Sequence, residues 1–516
     1  MALKRHLDPG LLLTGLAAFI FSASFSFVNI IKYQNFSLTT FGWHCFYVYP
    51  KLFTIKHFSD LSPIYELPAL VYLFVPVNYI LALIYRLFLK PEALLSLQAV
   101  ILASACLPLY LIAKKVLGSS YLAFALALAY LLHPVVSVGA LLGFIPSALG
   151  LPLLMSAFYY LEKSRPVKFI LFLMLAGLCK IDIVLMNLIL GFILLFRTGW
   201  KKQGRIIIGI SLAWVIVVSA ACVIYLHTVA KPFPVNLLQV DGYADNLQGV
   251  ARYVLFNPAM LLANIFNQEN MLLVSFFYLP NIFCFFSLIW LLPIIPELLF
   301  ILVRNQHSSG IFLILPFIFL GSIYGLARVF KSITGYYQQN KRFALILVNV
   351  SASLILVFTV IQHYYIPKQS YFSGNLGPLP FTREFKLRDY RITAHARIGM
   401  SILKQVPPDS SCLASFFLAP QLAGIRQLER FDRFVLQRGY SYDYVLVDLS
   451  QPVLFQISPK EYYLRLKEFL TLGKYGVMVF EDGWLLLKSG YSQSRNNEVS
   501  AFIEGGRLNH DKNINH

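Results

Sequence analysis

Ionisable residues in or beside long apolar runs are the ones placed to do chemistry in this chain, because lipid makes such charges costly to keep. The stretch NFSLTTFGWHCFYVYPKLFTIKHFSDLSPIYE gathers His44, Lys51, Lys56, His57, Asp60 and Glu66 among aromatic residues. That mixture suits an amphiphilic ligand, and it equally suits an interfacial aromatic belt. Asp60 is the first carboxylate of the stretch and Glu66 the second. Brought together by folding they can act as acid and base; left apart they are caps or rim charges. His133, followed by Pro134, closes an apolar run and reads first as a hydrogen-bonded interfacial residue, second as a ligand. Lys180 and Asp182 flank Ile181 in the GLCKIDIVL turn, where they line a cavity or form a structural ion pair. The segment HTVAKPFPVNLLQVDGYADNLQGVARYVLFNP carries Lys231, Asp241, Tyr243, Asp245, Arg252 and Tyr253, and Arg304 and His307 follow a later apolar hairpin. Arginine forks and lysine ammonium groups at a membrane surface suit a lipid-linked phosphate, as they suit ordinary headgroups. No P-loop, GxSxG, HExxH or GxGxxG arrangement occurs in the context it requires.

The elements that must position these residues are set by composition. Of 516 residues 58% are hydrophobic and 13% charged, and the mean hydropathy is +0.66. A soluble chain could not hide that much apolar surface, so lipid is the main solvent. Lys and Arg outnumber Asp and Glu by 43 to 24. Because the cations sit in short segments between apolar runs, they read as topology signals rather than as a nucleic-acid surface. The six cysteines are scattered without a CxxC pair, which argues against a disulfide framework or a structural zinc site. The N-terminal MALKRH and the apolar run after it are expected to form an uncleaved anchor rather than a cleaved signal.

Apolar runs fall near 11–31, 67–89, 95–113, 119–138, 142–161, 167–180, 182–196, 205–228, 271–303, 310–328 and 343–362. If 67–89 crosses the bilayer, Lys114, Lys115, the EKSRPVK stretch and the RTGWKKQGR stretch all land outside, against the positive-inside bias. Read instead as a juxtamembrane helix or hairpin, with Pro68, Pro76, Glu66 and Arg86 marking it, it leaves all three clusters inside with the N-terminus. The run 271–303 exceeds one ordinary span and contains LPIIPE, so it divides into two. The expectation is an α-helical polytopic membrane protein of about eleven spans with a cytoplasmic N-terminus. Residues 1–363 form the transmembrane domain, with outer loops at 32–94 and 229–270.

After 363 the chain is expected to be external. SSCLASFFLA, YDYVLVDLS, YGVMVFED and GWLLLKSG read as short strands, and PKEYYLRLKEFLTLG reads as an amphipathic helix. A small extracytoplasmic α/β domain over 364–489 follows, with a polar, disordered tail at 490–516.

SDLSPIYE, LPLYLIAKKVLG, AYLLHP, the long stretch from GFIPSALG to KIDIVLM and HSSGIFLILPF occur in an order and spacing that resemble the bacterial and cyanobacterial membrane proteins of domain of unknown function 2079. That family looks like the GT-C glycosyltransferases. The resemblance implies a polyprenyl-phosphate-linked sugar as donor at the outer face, a long first outer loop followed by a juxtamembrane helix, and an acidic base in that loop. This chain departs from the pattern at Thr40 and Cys45, where acidic residues are expected, at Ile145 and Ser147, where the family has His and Glu, and at Ile181, where it has Glu; Lys180 and Asp182 are retained. Asp60 or Glu66 is then the surviving base, and His57, Lys180, Asp182, Arg252, Arg304 and His307 are the substrate contacts. Membrane lipid and a lipid-linked sugar are the expected partners, without nucleic acid; no metal or other cofactor is assigned. A catalytically inactive, lipid-glycan-binding or scaffold relative is the alternative. A transporter comes third, since the spans lack an ion-pair chain or paired broken helices.

Overall fold

The computed structural model describes residues 8–38, 75–88, 90–229, 258–278, 281–304, 311–336, 341–365, 378–418, 420–422, 424–431, 442–450 and 459–513, together with Tyr49. The helices, in chain order, are α1 (Pro9–Gln34), α2 (Val77–Phe88), α3 (Pro91–Ser104), α4 (Cys106–Leu117), α5 (Ser120–Leu131), α6 (Pro134–Leu141), α7 (Gly150–Glu162), α8 (Pro166–Gly177), α9 (Ile181–Leu195), α10 (Lys201–Val229), α11 (Pro258–Ile265), α12 (Gln268–Tyr278), α13 (Ile295–Arg304), α14 (Ile311–Tyr336), α15 (Lys341–Tyr364), α16 (Ala394–Leu403), α17 (Pro459–Thr471) and α18 (Asn496–Asn513). Five strands, β1 (Ser411–Ala414), β2 (Gln427–Arg430), β3 (Tyr444–Asp448), β4 (Tyr475–Glu481) and β5 (Trp484–Ser489), all lie between α16 and α18.

Two compact units result, one of residues 1–28, 67–81 and 94–386, the other of residues 29–66, 82–93 and 387–516. The expected domain boundary near 363 lies at 386 instead. The cause is local: Arg383 N–H donates to the Tyr364 carbonyl, the His363 ring bonds the Pro380 carbonyl at 2.9 Å, and Phe381 packs on Phe25. These contacts fold the segment after α15 back onto its end.

The first unit is a helical membrane body. Five of its helical stretches are long and apolar enough to cross a bilayer: Pro9–Gln34, Pro91–Leu117, Lys201–Ala221, Ile311–Ile333 and Ile346–Tyr364. Two further pairs qualify together but are bent, α5 with α6 by 45° and Ile282–Trp290 with Leu292–Leu299 by 87°. Prolines sit at both breaks, Pro134 and Pro293, where a missing N–H ends one helix and starts the next. The other apolar runs are carried by shorter helices such as α8 and α9. Burial ranks them: 83% of the apolar stretch of α14 is covered by protein, against 17% for that of α10, so α14 is the central post and α10 faces outward. α2 is 12 residues long, too short to span, with Leu81, Ala82 and Tyr85 buried and Ile80, Leu83 and Leu87 exposed. α2 falls within the 67–89 run expected to form a juxtamembrane helix or hairpin; residues 67–74 and 89 lie outside the described residues.

The second unit contains a mixed sheet in the order β2-β1-β3-β5-β4, in which β1 runs parallel to β2 and β3, and β5 runs antiparallel to β3 and β4. An Asp482-Gly483 turn closes the β4–β5 hairpin, with φ of 49° and 82°, the left-handed pair that a two-residue hairpin demands. Val445, Val447, Leu485 and Leu487 from the sheet pack with Tyr462, Leu466 and Phe469 of α17. Val499 and Ile503 of α18 belong to the same core. The expected disordered tail is therefore corrected: its Asn-rich start is a docking device. Asn496 donates to the Leu470 and Tyr475 carbonyls at 2.9 and 2.8 Å and accepts from Val477 N–H, which anchors α18 to the sheet before its two apolar residues are reached.

Candidate functional site

Lys180 is the extended residue, φ −164° and ψ 142°, that opens α9 after the α8–α9 turn, and Asp182 sits in the first turn of α9. Glu297 sits in the first turn of α13, just after the 87° bend. The structure brings the three together. Lys180 Nζ pairs with Asp182 Oδ2 and lies 3.6 Å from Glu297 Oε1. Exposure of the three side chains is 19%, 24% and 8%, so the cluster is largely removed from solvent. Each carboxylate occupies a helix N-terminus, where the backbone N–H groups and dipole favour negative charge, and the lysine bridges them. Such a cluster can hold an ammonium in fixed orientation toward a phosphate, and its carboxylates can accept hydroxyl protons. Behind the same turn an apolar cavity of about 150 Å³ lies between α8, α9 and α10, lined by Met174, Gly177, Leu178, Val184 and Trp214 among others.

The remaining expected site residues are not joined to this cluster. His57, Asp60, Glu66, Arg252 and His307 lie outside the described residues, as do Thr40 and Cys45; Arg304 closes α13, and its side chain is likewise outside them. His133 caps α6, its Nδ1 accepting from Val135 N–H at 3.3 Å, and its ring packs against Phe277 and Phe319. Ile145 and Ser147 are buried, and Ile145 N–H donates to Gln98 Oε1, whose amide donates to the Gly139 carbonyl. Glu297 escaped sequence reasoning because nothing local ties it to Lys180; a carboxylate directly after a proline in an apolar run was its only signal. The 87° bend falls at the LPIIPE segment where the 271–303 run is expected to divide, and the Lys180–Asp182 pair is among the expected readings, whereas the 45° bend between α5 and α6 is a feature that the sequence alone did not reveal.

A second cluster, in the other unit, was not anticipated. His395 of α16 places Nδ1 2.8 Å from Asp482 Oδ2 and Nε2 2.9 Å from Asp448 Oδ2. Its ring stacks on Trp484, whose indole N–H donates to the His395 carbonyl. Ser450 Oγ lies 3.1 Å from Nε2 and 2.7 Å from Asp448 Oδ1. The order Ser, His, Asp resembles a nucleophilic triad, but buried Asp448 occupies Nε2 and accepts the serine proton. The imidazole therefore donates from both nitrogens and is not a base for Ser450. Burial lowers the His395 pKa, yet hydrogen bonds donated to the two carboxylates outweigh it and raise the value above the ordinary one. Elsewhere in this unit Asp443 is held below its ordinary value by the backbone and hydroxyl of Ser411, and burial pushes the Cys412 thiol up to about 12. Among the described residues no three His, Cys, Asp or Glu side chains are arranged to hold one metal ion.

Comparison with known proteins adds three findings. A family model described as predicted membrane protein (DUF2079) matches residues 35–486. Among solved structures, the chain is similar to the crystal structure of ArnT from Cupriavidus metallidurans in the apo state, at 12% identity and a TM-score of 0.44, over 92% of this chain and 97% of that one. The comparison with curated proteins gave no match.

Proposed function

The chain belongs to the DUF2079 family of predicted membrane proteins, and from that premise we propose that it binds a polyprenyl-phosphate-linked sugar at the outer face of a bacterial inner membrane, in the manner of a GT-C glycosyltransferase. The observation that carries this reading is the Lys180–Asp182–Glu297 cluster, since ionisable residues sequestered in a membrane body mark function more often than stability. Lys180 meets the donor phosphate as a point charge, while Asp182 and Glu297 fix its ammonium and accept sugar hydroxyls. The apolar cavity behind the α8–α9 turn takes the first part of the isoprenoid chain. Arg252, Arg304 and His307 are assigned further phosphate contacts and His57 a substrate contact, and Asp60 or Glu66 takes the acceptor proton.

A second reading rests on Ile145, Ser147 and Ile181. These positions carry uncharged side chains where the resembled pattern has ionisable ones, and Ile145 and Ser147 are buried. On that reading the protein holds the lipid-linked glycan without transferring its sugar.

Mass spectrometry of co-purifying lipid, followed by a sugar-release assay, separates the two. It is run on wild type, on Lys180→Met and on the Asp60→Asn, Glu66→Gln double variant. Lipid-linked sugar on wild type but not on Lys180→Met, with release lost in the double variant, supports transfer. Bound lipid without release by any protein supports the second reading, and absence of such lipid from wild type overturns both.

A further inference from the structure

Two basic turns meet at one end of the membrane unit. The α7–α8 turn carries Lys163 and Arg165, the first turn of α8 carries Lys168, and the start of α10 carries Lys201, Lys202 and Arg205; all six side chains are exposed. Phe169, in the first turn of α8, packs edge-on against Trp200 with ring centroids 5.5 Å apart, which clasps one turn to the other. α9 and α10 cross so closely that a Cβ on Gly204 would lie 2.8 Å from the Gly191 carbonyl oxygen, so the backbone holds this geometry. Lys163 and Lys168 rest over the Tyr159 and Tyr160 rings at 5.6 and 5.3 Å, which aligns their stems along the unit.

Negative charge is scarce there. Glu162 already faces Lys115 at 4.0 Å and Arg197 at 3.9 Å and accepts the Tyr324 hydroxyl. Among the described residues, none of Arg165, Lys168, Lys201, Lys202 and Arg205 is paired with a carboxylate. These cations stand at the ends of apolar helices, the depth at which lipid phosphates lie. We propose that the clasped pair of turns is a binding site for the phosphodiester headgroup of an anionic phospholipid. The phosphate lies between Arg165 and Lys168 on one side and Lys201 and Lys202 on the other, with the acyl chains along the exposed face of α10.

Native mass spectrometry of the full chain, released from nanodiscs containing phosphatidylglycerol, cardiolipin and phosphatidylethanolamine, tests this. The wild type is expected to retain the two anionic lipids in preference to the zwitterionic one. An Arg165→Gln, Lys168→Gln, Lys202→Gln variant should retain at least about tenfold less anionic lipid, since each interfacial cation contributes severalfold to affinity. Arg397→Gln with Lys404→Gln, exposed cations of the other unit, should change nothing. The charge-conserving Arg165→Lys, Lys168→Arg, Lys202→Arg variant should keep the lipid. Equal retention by the neutralised variant, or equal retention of phosphatidylethanolamine by wild type, overturns the proposal. Should the neutralised variant not fold, raising salt from about 0.05 to 0.5 M on wild type replaces it; release supports the site, and salt-independent retention overturns it.

Discussion

Trp484 occupies the space in which a side chain on Gly399 would have to lie: a Cβ added to that glycine overlaps the indole ring and comes within 2.9 Å of Phe36. Phe36, just past the end of α1, and Trp484 of β5 meet edge to face, their ring centroids 4.9 Å apart, over this glycine of α16. Gly399→Ala should destabilise the unit by about 1–3 kcal/mol through overpacking. Loss of the near-ultraviolet tryptophan signal at a lower temperature than wild type, for the full chain in detergent, would register it; an unchanged melting profile would show that the joint yields.

The polar side of that joint depends on pH. The folded pKa of His395 is raised by Asp448 and Asp482, so its contribution is fully present below the ordinary histidine value. It is lost as pH rises through the raised value. The unit should melt progressively earlier above about pH 6.5, and His395→Gln should flatten that part of the profile. A wild-type profile that improves over the same range contradicts the assigned proton on both ring nitrogens.

Lys180→Met leaves Asp182 and Glu297 facing each other in the membrane unit without their cation. A loss of about 3 kcal/mol is expected from an uncompensated buried charge. Adding Asp182→Asn and Glu297→Gln should recover most of it, because the repulsion goes with the charges. Thermal unfolding of the single and triple variants measures both steps, and a triple variant no better than the single one would assign the loss to packing instead.

Asn496→Ala removes the side chain that satisfies two carbonyls and one N–H at the junction of α17, β4 and α18. A cost of about 2–3 kcal/mol follows from leaving those groups unpaired. Proteolysis should then cut first between β5 and α18, releasing a fragment that starts near 490 and carries the helix; resistance equal to wild type would mean that Val499 and Ile503 hold the helix alone.

The sequence made much of this fold legible and left specific parts hidden. β1, β3, β4 and β5 stand out as apolar runs, and α17 as an amphipathic one, because each presents its core residues with the period of its element. β2 does not stand out: in Gln427–Arg430 only Leu428 is buried among the residues whose side chains are described, so its strand character comes from pairing with β1, a long-range event. The polarity of 490–516 concealed α18, whose burial depends on Val499, Ile503 and one asparagine. In the candidate site, Lys180 and Asp182 were visible as charges interrupting apolar runs. Glu297 and the partners of His395 were not, since 117 and 53 to 87 positions separate them in sequence.

The covered position of α14 bears on biosynthesis. Phe312, Phe317 and Phe319 are fully buried, and two of them meet rings of α5 and α7 made well before α14 leaves the ribosome: Phe317 against Phe158, and Phe319 against Tyr130. The early helices thus enter the bilayer with the slot for their central neighbour unfilled. Consolidation of the bundle is therefore a lateral event within the membrane that waits for α14, which closes the slot while the last helix of the bundle and the second unit are still to be made.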